Sequence, residues 1–272
     1  MKTKPLKLGN VTIGGNEPAF ILGPCVIESE KFVWRMAQRI ADVCRSEDAS
    51  FIFKASYDKA NRTSGRSFRG IDARAGCEIL AAIGKELRVP VTTDVHSPAE
   101  AEIAAEFIDI LQIPAFLCRQ TDLLRAAAET GRVVNVKKGQ FLAPLDVRNI
   151  AEKLSAFGND KFMFTERGTT FGYNNLVADM RSLYWIREAG YRVIFDATHS
   201  VQRPGGAGDT TSGDGALAPV LARAAVAAGC DGVFMEVHEN PTRALSDGPN
   251  QLPLKQLPKH LRMLKTLHAA VS

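Results

Sequence analysis

The 272 residues carry 34 Lys and Arg against 30 Asp and Glu, a formal charge of +4, and 45% of them are hydrophobic. That length fits one (β/α)₈ unit of about 250 residues better than two small domains. No window approaches the roughly 18 uninterrupted apolar residues of a membrane span. No basic block interleaved with aromatics suggests nucleic acid, so the mild positive charge suits small anions.

The N-terminal Met1-Lys2-Thr3-Lys4-Pro5 is charged, and no apolar signal-peptide core follows it. Next, Leu6-Lys7-Leu8 and Val11-Thr12-Ile13, joined by Gly9-Asn10, predict a hairpin over 5–14 that plugs the bottom of a barrel. Eight short apolar runs follow, each ending in residues able to do chemistry. Phe20-Ile21-Leu22 runs into Cys25, Phe51-Ile52-Phe53 into Lys54, and 89–93 into Asp94 and His96. The run 108–111 meets Gln112, and 133–136 meets Lys137 and Lys138. Phe162-Met163-Phe164 leads to Glu166 and Arg167, Val193-Ile194-Phe195 to Asp196 and His199, and Val233-Phe234-Met235 to Glu236 and His238.

Helical spacing is predicted at 30–45, 73–87, 98–105, 123–130, 147–156, 175–189, 216–228 and 255–270, with Gly131, Gly190 and Gly229 stopping three of these segments. Eight buried strands alternating with helices predict an α/β fold, a single (β/α)₈ TIM barrel over 1–272 whose active site collects at the strand C-termini. Two loops are long, 57–70 and 200–215; the second contains Pro204-Gly205-Gly206-Ala207-Gly208 and is expected to be a mobile active-site loop. The five cysteines (Cys25, Cys44, Cys77, Cys118, Cys230) are odd in number and lack CxxC spacing, as expected of reduced thiols in a cytoplasmic protein.

Three constellations stand out. Lys54, Lys59, Arg62, Lys137, Lys138 and Arg167 fall at strand ends or just after them. An isolated surface cation is usually only solvated, but several at one barrel mouth repel one another unless an anion such as phosphate or carboxylate lies between them. Cys25, His199, Glu236 and Asp247 make a mixed S/N/O donor set for Zn²⁺, Fe²⁺, Mn²⁺ or Co²⁺. Singly, Cys25 reads as a small buried hydrophobe and His199 as a packed core residue; their coincidence at neighbouring strand ends favours a site. Asp94, His96, Gln112 and Asp196 can orient lysines or hold sugar hydroxyls, while His238 and Glu239 read as polar rim.

The longer words carry a resemblance. Lys54-Ala-Ser-Tyr-Asp-Lys-Ala-Asn-Arg-Thr-Ser64, Thr93-Asp-Val-His96, and Gln112-Ile-Pro-Ala-Phe-Leu-Cys-Arg-Gln-Thr-Asp122 are three of them. Asn135-Val-Lys-Lys-Gly-Gln-Phe141, Glu166-Arg-Gly-Thr-Thr-Phe-Gly-Tyr-Asn-Asn175, Phe195-Asp-Ala-Thr-His-Ser-Val-Gln202 and Asp247-Gly-Pro complete the set. Together they resemble the 3-deoxy-D-manno-octulosonate 8-phosphate synthases, in order and from about 18 to 267.

The resemblance implies condensation of phosphoenolpyruvate with D-arabinose 5-phosphate and water, a product destined for bacterial lipopolysaccharide, and a cytoplasmic homotetramer with no nucleic-acid or membrane partner. It implies that Lys54, Lys59, Gln112, Lys137 and Arg167 surround phosphoenolpyruvate. Asn61, Arg62 and Thr63 are placed at the sugar phosphate, partly across a subunit boundary, and Lys54, Asp94, His199 and Asp247 are the expected catalytic groups. Cys25 in Gly23-Pro24-Cys25 marks the metal-requiring branch, with Cys25, His199, Glu236 and Asp247 as ligands. Thr63 stands where Ser is usual, and Gly65-Arg66 where the family has Ile-His. The rivals are the sister synthase acting on erythrose 4-phosphate and a catalytically dead phospho-ligand binder.

Overall fold

The computed structural model describes residues 3–60, 68–205 and 212–271. Among these, eight strands run parallel: β1 (Ala19–Gly23), β2 (Phe51–Lys54), β3 (Val91–Asp94) and β4 (Ile110–Ile113), then β5 (Val133–Lys137), β6 (Phe162–Glu166), β7 (Val193–Asp196) and β8 (Gly232–His238). Each pairs with its successor, and β8 also pairs with β1, so the sheet closes. Eight helices surround it: α1 (Glu30–Ser46), α2 (Ala73–Leu87), α3 (Pro98–Ala105), α4 (Thr121–Glu129), α5 (Val147–Ala156), α6 (Arg181–Glu188), α7 (Ala218–Ala227) and α8 (Leu257–Val271). This is the expected (β/α)₈ barrel.

Alternation along the strands explains both the core and the site. Phe20 and Leu22 point outward into the layer under the helices, where they join Val33, Met36 and Ile40 of α1. Ile21 points inward, with Ile52, Ile110, Val133, Met163, Ile194 and Phe234, to fill the barrel's lower half. Each such side chain contributes about 1.5–3 kcal/mol by leaving water. Val11 and Ile13 of the N-terminal hairpin join this cluster and close its bottom, as the plug reading predicts. Two residues further along six of the strands, the inward position turns polar: Lys54 after Ile52, Gln112 after Ile110, Asn135 after Val133, Thr165 after Met163, Asp196 after Ile194 and Glu236 after Phe234. The upper half of the barrel is therefore lined with charge and amide.

Local signals set the helix boundaries. Ser29 Oγ accepts from Phe32 N at the start of α1, and Asp72 caps α2 by accepting from Arg74 and Ala75. Ser97 caps α3, with Pro98 at its first position. Gly131, Gly190 and Gly229 adopt positive φ beyond their helices, as expected. The helix expected over 175–189 starts only at Arg181. Leu176 and Val177 instead pair antiparallel with Thr170 and Thr169 across a turn in which Asn174 is left-handed. Val177 is exposed, and the two residues form one side of a small ribbon in place of a first helical turn.

Of the two long loops, 61–67 and 206–211 lie outside the described residues. The flanks of the second form a ribbon, with Gln202 and Arg203 opposite Gly213 and Ser212. Among the described residues, no helix is long and apolar enough to cross a membrane.

Candidate active site and metal centre

The end of β1 delivers Cys25 to the barrel mouth. A Cβ on Gly23 would lie 1.7 Å from the Lys54 carbonyl oxygen, so only glycine lets the two strand ends approach this closely. Cys25 N donates to Gln251 Oε1 at 3.3 Å, and Gln251 Nε2 donates to the Ser246 carbonyl at 2.8 Å. That staple brings the 246–247 turn over the thiol. Asp247 is left-handed there, with φ +48°, a conformation that a non-glycine residue holds only when its surroundings fix it.

The Cys25 thiol then lies 2.9 Å from Ser246 Oγ and 3.8 Å from Asp247 Oδ2. Ligand atoms of Cys25, Glu236 and Asp247 all fall within 4.8 Å of one another. His199 Nε2 faces the same space, 3.6 Å from Glu236 Oε1 and 3.9 Å from Asp247 Oδ2. Three of the four expected ligands therefore gather, and the fourth reaches two of them. Burial pushes the Cys25 thiol up to about 12, and the charges of Glu236 and Asp247 add to that rise. One thiol and two carboxylates within reach of one another, with an imidazole alongside, suit a divalent cation of borderline softness. The residues fit a metal.

Beneath this cluster Lys54 Nζ donates to Glu236 Oε1 at 2.7 Å and to the Cys25 carbonyl at 3.0 Å. Burial alone would raise the Glu236 carboxyl, but Lys54, His199, Lys59 and Lys137 outweigh it and hold the group well below the usual carboxylate range. Lys59 Nζ lies 3.7 Å from the same oxygen. Lys137 Nζ donates to Asp196 Oδ2 at 2.7 Å and sits 3.9 Å above the Phe234 ring. Arg167 is buried, and its Nη2 donates to Gln202 Oε1. Its Nη1 has no partner among the described residues. A buried donor left unsatisfied costs about 1–3 kcal/mol, which an anion at that position removes.

Lys59, Lys137 and Arg167 open onto one cavity of about 470 Å³, together with Asp94, His96, His199 and Asp247. Lys138 departs from the expected cationic set. Its ammonium is fully buried on the Gly139 and Leu142 carbonyls and Thr169 Oγ1, where it ties two loops together, and it does not line the cavity.

Asp94 is set by a chain of hydrogen bonds across neighbouring strands. It accepts from Ser56 Oγ, and from Gln112 Nε2 at 2.6 Å. Asn135 Nδ2 donates to Gln112 Oε1 at 3.0 Å, and Thr165 Oγ1 donates to Asn135 Oδ1 at 2.8 Å. Gln112 is therefore fully buried with both amide ends engaged, beneath Asp94 and not on the cavity wall. Asp196 faces His199 as well as Lys137, with its Oδ2 2.8 Å from His199 Nδ1. His96 Nδ1 meets Glu100 Oε2 at 2.9 Å, beside the Tyr57 hydroxyl on the same oxygen.

His238 packs against Phe32, and Glu239 is paired with Arg35 and Arg39; neither lines the cavity. Asn61, Arg62, Thr63 and the Gly65-Arg66 pair lie outside the described residues. Sequence reasoning passed over Asn135, Thr165, Gln202, Ser246 and Gln251. Strand alternation points to the first two, and Gln202 and Ser246 sit inside or beside quoted motifs. Gln251 carries no local signal.

The DAHP synthetase I family matches residues 2–272. A Geobacter sp. (strain M21) protein described as 2-dehydro-3-deoxyphosphooctonate aldolase is 55% identical over 271 residues, 99% of each chain. Proteins of the same description from Citrifermentans bemidjiense and Geotalea uraniireducens are also 55% identical, over 99% and 98% of this chain and 99% of their own.

Proposed function

Because the chain belongs to the DAHP synthetase I family, we propose that it condenses phosphoenolpyruvate with D-arabinose 5-phosphate and water. The products are 3-deoxy-D-manno-octulosonate 8-phosphate, a precursor of bacterial lipopolysaccharide, and inorganic phosphate. The observation that carries this reading is one cavity in which Lys59, Lys137 and Arg167, whose Nη1 has no partner among the described residues, meet His199 and Asp247, with Asp247 clustered on Cys25 and Glu236. An anion site beside a metal site suits a phosphorylated enol meeting an aldehyde.

In this mechanism Lys59, Lys137 and Arg167 hold the carboxylate and phosphate of phosphoenolpyruvate. Asn61, Arg62 and Thr63 grip the sugar phosphate. C3 bonds to the aldehyde carbon, whose oxygen takes up a proton, while water adds to C2 and gives one up. The C2 hemiketal phosphate so formed breaks the bond between C2 and its phosphate ester oxygen, releasing inorganic phosphate and leaving the C2 carbonyl, and fixed cations stabilise the oxygens that gain charge. Asp94, His199 and Asp247 are the cavity-lining groups assigned to the reacting hydroxyls and water. Lys54 compensates Glu236 from below, and Gln112 acts through Asp94, which it holds. Cys25, His199, Glu236 and Asp247 would hold Zn²⁺, Fe²⁺, Mn²⁺ or Co²⁺, which when bound polarises a carbonyl and lowers the pKa of water.

We assign the chain to the cytoplasm as one domain with 200–215 as an active-site loop; its five cysteines are free, in keeping with a reducing compartment. Assembly as a homotetramer is supported by exposed Phe116, Phe141, Phe171 and Tyr173, which follow β4, β5 and β6 around the mouth. Exposed aromatics that share one end of a barrel are the kind of surface a subunit contact covers.

The test is phosphate release from phosphoenolpyruvate with arabinose 5-phosphate, with erythrose 4-phosphate, and with no sugar. Release with arabinose 5-phosphate alone supports the proposal. Preference for the four-carbon sugar would assign the sister activity that the family description names, and no release with either would assign a binder.

A further inference from the structure

Gln202 stands at the root of the 200–215 segment, largely buried, where its backbone pairs with Gly213. Its side-chain amide spans two charged groups from different parts of the site. Oε1 accepts from Arg167 Nη2, and Nε2 donates to Asp247 Oδ2 at 3.2 Å. A guanidinium offers only donors and an ionised carboxylate only acceptors, so these neighbours fix which way the amide points. They also fix the residue type. A carboxylate at 202 would turn like charge toward Asp247, and an ammonium would do the same toward Arg167.

We propose that Gln202 is a positioning residue that ties the anion-binding fork of Arg167 to the metal-site carboxylate of Asp247. The proposal rests on the metal-site reading above. Asp247 needs such a restraint, because its backbone is left-handed and its carboxylate must turn back toward Cys25 and Glu236. Arg167 needs one too: Nη2 is fixed on Gln202, Nη1 has no partner among the described residues, and the residue lines the cavity. Gln202 lines that cavity itself, between the two groups it joins.

The test is Co²⁺ affinity, measured by titration calorimetry on the full chain after chelator stripping and without substrate. Gln202→Met keeps the side-chain length and removes both hydrogen bonds; it should weaken Co²⁺ binding roughly tenfold, as loss of a ligand's hydrogen-bond partner does. Arg167→Lys keeps the positive charge and loses the planar fork. It should weaken Co²⁺ several-fold in the native background and have no further effect on Gln202→Met. A through-space charge effect predicts no change from Arg167→Lys, and independent structural roles predict additive losses. Unchanged Co²⁺ affinity in Arg167→Lys, or additivity in the double variant, would overturn the relay. Should Gln202→Met fail to fold by circular dichroism, Arg167→Lys alone decides: weakened Co²⁺ binding supports the relay and unchanged binding overturns it. Failure of the unaltered chain to bind Co²⁺ would overturn the metal-site reading and the relay together, an outcome distinct from Co²⁺ binding with additive losses.

Discussion

Lys54 Nζ and Glu236 Oε1 lie 2.7 Å apart, with both side chains 1% exposed. Such a pair gives little net stability relative to an apolar replacement, but breaking it is expensive. Lys54→Met should therefore destabilise the barrel by about 3–5 kcal/mol, by leaving Glu236 buried without its nearest cation. Urea unfolding at pH 7 measures this, and a loss below about 1 kcal/mol would show that water or Lys59 compensates Glu236.

The same carboxylate makes stability depend on acid. Its folded pKa lies below the unfolded value, so its contribution is complete above the unfolded carboxylate range. That contribution is lost as pH falls from about 4.5 toward the lower folded value. Glu236→Gln should flatten the acid limb of the stability curve, measured by urea midpoints between pH 3 and pH 6.

Asp196 serves two neighbours at once, Lys137 at 2.7 Å and His199 at 2.8 Å. Asp196→Asn should lower Co²⁺ or Mn²⁺ affinity by about 10–100-fold, because the carboxylate no longer orients the imidazole. Burial already depresses the Lys137 ammonium, and Asp196 opposes that depression. Removing it lowers the Lys137 pKa further, so the rise of the phosphoenolpyruvate KM on the alkaline side should move to lower pH. An alkaline limb that stays in place would place Lys137 outside phosphoenolpyruvate binding.

Sugar selection should reside in the 59–63 segment. Turnover with arabinose 5-phosphate is expected to exceed that with erythrose 4-phosphate or ribose 5-phosphate by at least roughly tenfold, about 1.4 kcal/mol in transition-state binding. Arg62→Ala should mainly raise the sugar KM and leave phosphoenolpyruvate binding largely intact. Unchanged sugar kinetics would make Arg62 a solvated loop residue.

Much of this site was legible because chemistry and topology coincide: where an inward strand position turns from apolar to polar, as from Ile52 to Lys54 or Phe234 to Glu236, the barrel mouth begins. Asn135 and Thr165 follow the same rule, yet alternation alone does not name their partners, which appear only once the strands are paired in register. Gln251 reaches Cys25 across 226 positions, a relationship no local pattern contains. Lys138 misled in the opposite direction, since charge at a strand end does not say which side of the wall it occupies. The helix expected from 175 failed for a similar reason: Leu176 and Val177 look amphipathic until Thr169 and Thr170 are placed beside them.

The central claim is that Cys25, His199, Glu236 and Asp247 form one metal site on which condensation depends. It is tested most directly by phosphate release from phosphoenolpyruvate and arabinose 5-phosphate after chelator stripping, with metal content verified by elemental analysis. The stripped chain should stay folded by circular dichroism, because its core does not depend on the ion, and should lose turnover. Mn²⁺, Co²⁺, Fe²⁺ and Zn²⁺ should restore turnover to different extents, since softness and preferred geometry differ among them. A verified metal-free chain that turns over at its original rate would contradict the account and leave Cys25 as a packing residue.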